Sequence, residues 1–230
     1  MHDDAATGVP DPRRLARLQR IVLAIATALP IAFVALLLVA RWPEYWRWIN
    51  YEATPMTTLE VATMFATALI AAAAGARAWL SRAPGAAIWW LLAAAFLWFA
   101  CDDRFALHER LRDRVLAPHG ISIPFLPWVA PGDFILIAYA AAGLCLLPSL
   151  WRLLRPHPAA RWRLCAGAIV AAFAVALDSV DLALLTVPMQ RLEQTVEECL
   201  ELAAQVLFLQ AFLCAWLGEI AGARNGEPPG

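Results

Sequence analysis

The stretch AAIWWLLAAAFLWFACDDRFALHERLRD, Ala86–Asp113, passes from solid hydrocarbon into dense charge without a break in its helical pattern. Up to Ala100 its only polar group is the tryptophan indole N–H. After Cys101 come Asp102, Asp103, Arg104, His108, Glu109, Arg110, Arg112 and Asp113. An apolar run of this kind suits a bilayer, whose hydrocarbon of about 30 Å takes roughly 20 helical residues to cross. The charge that follows is either a wet helix end or a cluster held at the membrane.

Composition supports the membrane reading for the whole chain. Of 230 residues 62% are hydrophobic and 16% charged, and the mean hydropathy is +0.62; a soluble domain has about 45–50% and 25%. The net charge is −1, and no basic tract invites nucleic acid. All 18 basic residues are Arg. With the Ala-rich core, that reads as the codon usage of a GC-rich bacterial genome and points to a bacterial inner membrane. Cys101, Cys145, Cys165, Cys199 and Cys214 lie in apolar runs without zinc spacing and read as buried small hydrophobes.

Working outward from Ala86, six apolar runs are long enough to span: about 19–41, 56–81, 86–109, 132–154, 163–187 and 193–221. The expected fold is all-α, a six-helix membrane bundle over 19–221 with cytoplasmic tails at 1–18 and 222–230. Pro84-Gly85 turns tightly between the second and third helices. Pro118, Pro124, Pro127 and Pro131 mark 114–131 as an interfacial loop. Arginine placement sets the direction. Eleven arginines, from Arg13 to Arg224, fall on the side of the termini and seven on the other, so both termini are expected in the cytoplasm. Trp42, Trp46, Trp48, Trp98 and Trp128 would form an outer aromatic belt, with Trp79, Trp89, Trp90, Trp151, Trp162 and Trp216 in an inner one.

With that topology, a rise of about 1.5 Å per residue brings acids from four helices to one layer near the periplasmic face. They are Glu60; Asp102, Asp103 and Glu109; Asp178 and Asp181; and Glu197, Glu198 and Glu201. On an unbroken third helix Asp102 and Glu109 fall within about 20° of each other, with His108 about 120° away. Asp178 and Asp181 would share a face at i, i+3. Glu197, Glu198 and Glu201 occupy an arc of about 100°, extended by Gln194 and Gln205. Thr57, Glu60, Thr63 and Thr67 make a polar stripe. Such stripes should face one another, since a charge at the bilayer centre costs about 3 kcal/mol on the most lenient scale.

Nine carboxylates against Arg104, Arg110 and His108 cannot all stay charged in a low dielectric. They take protons, periplasmic water or cations. Carboxylates from several helices with a histidine among them are the donor set of carboxylate metal sites. The expected ligands are those nine acids and His108, and the expected cofactor is a divalent ion: Zn, Fe or Mn rather than copper. As an enzyme, the protein would use His108, Glu109 and Glu198 catalytically on a lipid or other apolar substrate.

Blander readings stand beside this one. Asp102–Asp113 could emerge into headgroups with Arg104, Arg110 and Arg112 pairing locally. His119 and Asp133 are weaker candidates, and Cys101 and Cys199 are potential thiolate ligands. Glu44 and Glu52 read as interfacial, and His2 and His157 lie on the far side. A proton- or divalent-cation-coupled transporter component uses the same acids, but there is no inverted repeat and no polar path through the cytoplasmic half. A structural subunit would pair them with a partner's arginines.

The segments Asp102-Asp103-x4-His108-Glu109 and Glu197-Glu198-x-x-Glu201 resemble a pattern in uncharacterised multi-pass bacterial membrane proteins. There an Asp-Glu-x4-His-Glu segment precedes Glu-Glu-x-x-Glu on the last helix, and Asp103 here replaces the Glu. The resemblance implies one shared site and supplies no reaction. A fainter likeness is to ceramidase-like membrane hydrolases, whose three His ligands, including a His-x-x-x-His pair, are missing here.

Overall fold

The computed structural model describes residues 12–51, 53–126, 129, 131–132 and 134–222. His2, Glu52, Pro127, Trp128, Asp133 and Arg224 lie outside them. Seven α-helices form, with no strand among the described residues: α1 (Pro12–Ala40), α2 (Pro55–Leu80), α3 (Ala86–Phe105), α4 (Leu107–Leu111), α5 (Phe134–Leu153), α6 (Pro158–Asp178) and α7 (Val187–Gly222). All but α4 are long and apolar enough to cross a membrane.

Each helix starts and stops for local reasons. Thr54 caps α2, its hydroxyl accepting the Thr57 N–H at 3.4 Å, and Pro55 occupies the first turn, where a missing N–H costs nothing. α3 opens on Gly85 at φ +92°; a Cβ there would stand 2.4 Å from Leu153 of α5. The tight turn therefore also seats the end of α5. Several boundaries depart from expectation. α6 begins at Pro158 and ends at Asp178, where Ser179 Oγ donates to the Ala176 carbonyl at 2.9 Å, competing with the backbone ladder. α1 begins at Pro12 rather than 19, and α7 at Val187 rather than 193.

α2–α3 and α6–α7 are the two most closely joined pairs, and α2 also lies against α7. The row α3, α2, α7, α6, α5 curls round until α3 meets α5, where Trp98 Nε1 donates to Tyr139 Oη at 3.1 Å and Phe99 meets the Tyr139 ring edge-on. α1 leans on α7. Lipid is as apolar as these side chains, so close fit rather than hydrophobic burial joins the helices. Ala71, Ala74, Gly75 and Ala78 admit Trp89 and Trp90 against α2. At Gly167 a Cβ would come within 2.9 Å of the Phe208 ring, so only glycine lets α6 and α7 approach this closely without shifting that ring. Around Phe96, Trp89, Phe208 and Phe212 ring edges meet ring faces. Leu29, Ile31, Val39, Ile169 and Phe173 remain on the outside, where lipid would cover them.

Several polar groups away from the acids are tied off. Arg163 Nε donates to Gln210 Oε1 at 3.2 Å and Gln210 Nε2 to Thr27 Oγ1 at 2.7 Å, linking α6, α7 and α1. At the end of the bundle remote from Asp102, Arg77 reaches Glu219 at 3.4 Å. The cysteines are all free, but only Cys214 is buried and Cys145 is exposed, so lipid rather than protein surrounds the latter.

Candidate functional site

Three carboxylates from two helices converge. Glu60 comes from the start of α2, and Glu198 and Glu201 stand one turn apart on α7. One oxygen from each lies within 4.8 Å of the others. Glu60 is 1% exposed, and its Oε1 has no hydrogen-bond partner. The neighbouring threonines do not help it. Thr63 and Thr67 donate to the Leu59 and Thr63 carbonyls of their own helix, both at 2.8 Å. Glu60 instead hydrogen-bonds the Glu198 carboxyl and lies in the field of Glu201 and Asp103. Carboxylates this close must share a proton or a cation.

A second arrangement stands beside the first. α3 does not run on to 109 as the pattern predicts. It stops at Phe105, because Ala106 adopts a left-handed conformation (φ 48°, ψ 49°) before α4 restarts the helix. The break turns His108 back onto Asp102. The His108 N–H donates to Asp102 Oδ1 at 2.8 Å, and His108 Nδ1 lies 3.1 Å from Asp102 Oδ2. The expected 120° separation of these residues is corrected by this bend. Asp102 is 4% exposed and spends both oxygens on His108. Burial is the largest influence on the imidazole and lowers its pKa. The Asp102 hydrogen bond and the charges of Asp102, Glu109 and Asp178 together outweigh it and raise the net value.

Asp178 and Asp181 are not i, i+3 neighbours on a helix, since α6 ends at Asp178. Asp181 Oδ1 accepts the Ala183 N–H at 2.9 Å and caps a short 3-10 turn at Leu182–Leu184. Asp178 instead acts electrostatically on Glu197 and on Glu193. The sequence reading missed Glu193, whose Oε1 is buried without a hydrogen-bond partner. Its position one turn before Glu197 on α7 was the available signal. Of the arginines expected to offset these acids, Arg112 does so, 2.8 Å from Asp113 and 3.8 Å from Glu109; Arg104 and Arg110 are exposed.

A cavity of about 1030 Å³ joins the two arrangements. Asp102, Asp103, His108, Glu109, Asp178, Asp181, Glu197, Glu198 and Glu201 all line it, as do Glu193 and Gln205. Glu60 stands behind Glu198 and Glu201. Further down α3, α5, α6 and α7, the lining turns apolar: Leu92, Phe96, Ala140, Gly143, Ala171 and Phe208. α5 is the loose wall, with Leu150 its only buried residue. The remaining candidates lie elsewhere. His119 Nδ1 is spent on the Val115 carbonyl, and neither Cys101 nor Cys199 lines the cavity. His157 is at the far end, lowered by burial and by Arg77.

Fold and site together define a multi-pass helical membrane protein with a buried carboxylate cluster, able to hold a metal ion, beside a large cavity. The chain belongs to the family described as a domain of unknown function, DUF8692, whose profile matches residues 14–216. No curated protein and no solved structure matches it.

Proposed function

We propose that the protein is a metal-dependent membrane enzyme acting on a lipid or other apolar substrate, with a divalent ion held by Glu60, Glu198 and Glu201. The observation that carries this reading is the buried, unpartnered Glu60 Oε1 gathered with two further carboxylates beside an open cavity. Three oxygen donors with no imidazole among them weight the choice among Zn, Fe and Mn toward Mn. Such an ion would activate water or oxygen for attack on substrate. His108, oriented through Nδ1 by Asp102, handles protons at Nε2, and Glu109 lines the same cavity. The arginine count supports a bacterial inner-membrane protein with cytoplasmic termini and a periplasmic site. The apolar lining of the deeper cavity supports an enzyme over an ion conduit, which needs polar access from both sides.

Elemental analysis of detergent-purified protein tests the proposal, beside a Glu198→Ala/Glu201→Ala variant. About one equivalent of Mn, Fe or Zn, lost in a variant that still folds, is the expected result. A metal-free, folded wild type after growth with all three metals would overturn it. An impermeant thiol reagent should label Glu109→Cys from the periplasm; labelling from the cytoplasm alone would reverse the orientation.

A further inference from the structure

The cavity is deep, and it is blind. Three of its walls cover the same depth: Asp178 to Leu164 on α6, Leu136 to Leu150 on α5, and Glu198 to Phe212 on α7. Each pair is fourteen residues apart, or about 21 Å at 1.5 Å per residue. Leu150, Leu164 and Phe212 are at most 6% exposed, and Leu92 closes the α3 side at 5%. Beneath this floor Trp89, Leu154 and Ala215 belong to the same packed core, are at most 1% exposed, and do not reach the cavity.

Size and access narrow what fills it. Apolar cavities stay dry and take hydrocarbon; one of about 150 Å³ holds a benzene ring. On that scale a volume of about 1030 Å³ has room for roughly forty carbons, well beyond a small polar metabolite. Small residues on α5 and α6, among them Gly143, Ala168 and Ala171, leave a furrow facing the rings of Phe96 and Phe208. The way in is lateral. Ala142, Gly143 and Leu144, midway along α5, line the cavity and are exposed, and a Cβ added at Gly143 would meet nothing within 4 Å. In a bilayer that window opens onto acyl chains. A flexible chain can bend through it and lie down to the floor; a rigid fused-ring molecule cannot. Lipid is as apolar as the furrow, so entry brings no hydrophobic gain, and fit decides which chain stays.

We infer that the furrow is a ruler for one unbranched hydrocarbon chain of the substrate, with Leu150, Leu164 and Phe212 as its stop about 21 Å below the acids. This deepens the lipid-enzyme reading and rests on it for the reacting end, but it does not depend on the metal. A chain of matching length touches the floor while its polar end stands at Glu198 and Glu201. A longer one is held up by the floor, so its polar end overshoots the acids. A shorter one leaves a void above Phe212 and loses contacts there.

The test is photolabelling of the full chain in nanodiscs with straight-chain alcohols that carry a diazirine at the far end of the chain. One probe spans about two-thirds of the furrow, one matches it at about 21 Å, and one is about a third longer. The matching probe should label Leu150, Leu164 or Phe212. The short one should stop near Ala168, and the long one should label the floor about tenfold less, the scale of overpacking a tight interior. Ala168→Phe raises the floor by one turn, about 6 Å. It should cut labelling by the matching probe about tenfold and leave the short probe unaffected, which a misfolded protein would not do. Phe212→Ala should shift the preference to the long probe and bring Trp89 within its reach. Equal labelling of the floor by all three chains, or by a rigid fused-ring diazirine, would overturn the inference; so would an unchanged preferred length in Ala168→Phe. Metal measured in the same samples separates the two proposals. Length-ordered labelling without metal sinks the metal site alone, and metal without length selectivity sinks the ruler alone.

Discussion

Asp102 holds His108 by two atoms across the Ala106 bend, accepting the backbone N–H at 2.8 Å and facing Nδ1 at 3.1 Å. One buried carboxylate thus sets both the restart of the chain and the direction of the imidazole. Because His108 is raised from its ordinary 6.5, this clasp is at full strength below about pH 6.5 and is lost as pH rises through the higher folded value. Hydrogen exchange at residues 106–111 should therefore quicken, beyond its intrinsic base catalysis, as pH climbs past that value. Asp102→Asn removes the charge and leaves burial to act. The His108 midpoint, followed by NMR of ring-labelled histidine, should fall. An unmoved midpoint would mean that Asp102 does not govern the ring.

Ala106 sits at φ 48° without being glycine. A left-handed conformation costs an L-residue about 1–2 kcal/mol, against roughly 0.4–1 kcal/mol for the extra unfolded-state freedom of glycine. Ala106→Gly should therefore stabilise the protein slightly, by about 0.5 kcal/mol. Were 86–109 one continuous helix, the same change would destabilise it by about 1 kcal/mol. The sign of the shift in a denaturant titration decides between the two.

These two residues also mark where the sequence stops being legible. The six spans can be read because lipid demands unbroken apolar length, and a hydropathy window sees that directly. The gathering of Glu60, Glu198 and Glu201 can be approached too, since acids embedded in apolar sequence must face one another. Nothing at Ala106 announces a bend. Alanine is the best helix former, and no Gly or Pro stands nearby. The bend is upheld by a side chain four residues earlier that captures a backbone N–H two residues later, which periodicity cannot express. Asp181 is hidden for the same reason: whether it continues a helix or caps a turn depends on Ser179. Glu193 was passed over because it lies near the predicted start of its helix, in a segment that reads as interface.

Gly167 gives α6 its approach to α7, with Phe208 in the space a Cβ would take. Phe208 stands seven residues, about two turns, from Glu201 on α7, so pushing the helices apart here should reach the acids. Gly167→Val should cost about 1–3 kcal/mol. Phe208→Leu in the same chain should return part of that loss, giving a coupling in a double-mutant cycle that independent sites would not show. Additive losses would mean the two positions do not touch.

Glu60 allows a prediction in which the sign depends on the metal. Without a cation, Glu60 adds a third acid to a buried cluster, so Glu60→Gln keeps the size and relieves like-charge crowding. The variant should then unfold at the same temperature as wild type or higher. With Mn present at a hundred times its dissociation constant, wild type gains about 2.7 kcal/mol, because the ion binds only the folded state. The variant, short of one oxygen ligand, gains less. Thermal unfolding measured with and without Mn should therefore show the two proteins exchanging rank. If Glu60→Gln is the less stable protein in both conditions, Glu60 is a structural hydrogen-bonding group, and the cation does not belong to this cluster.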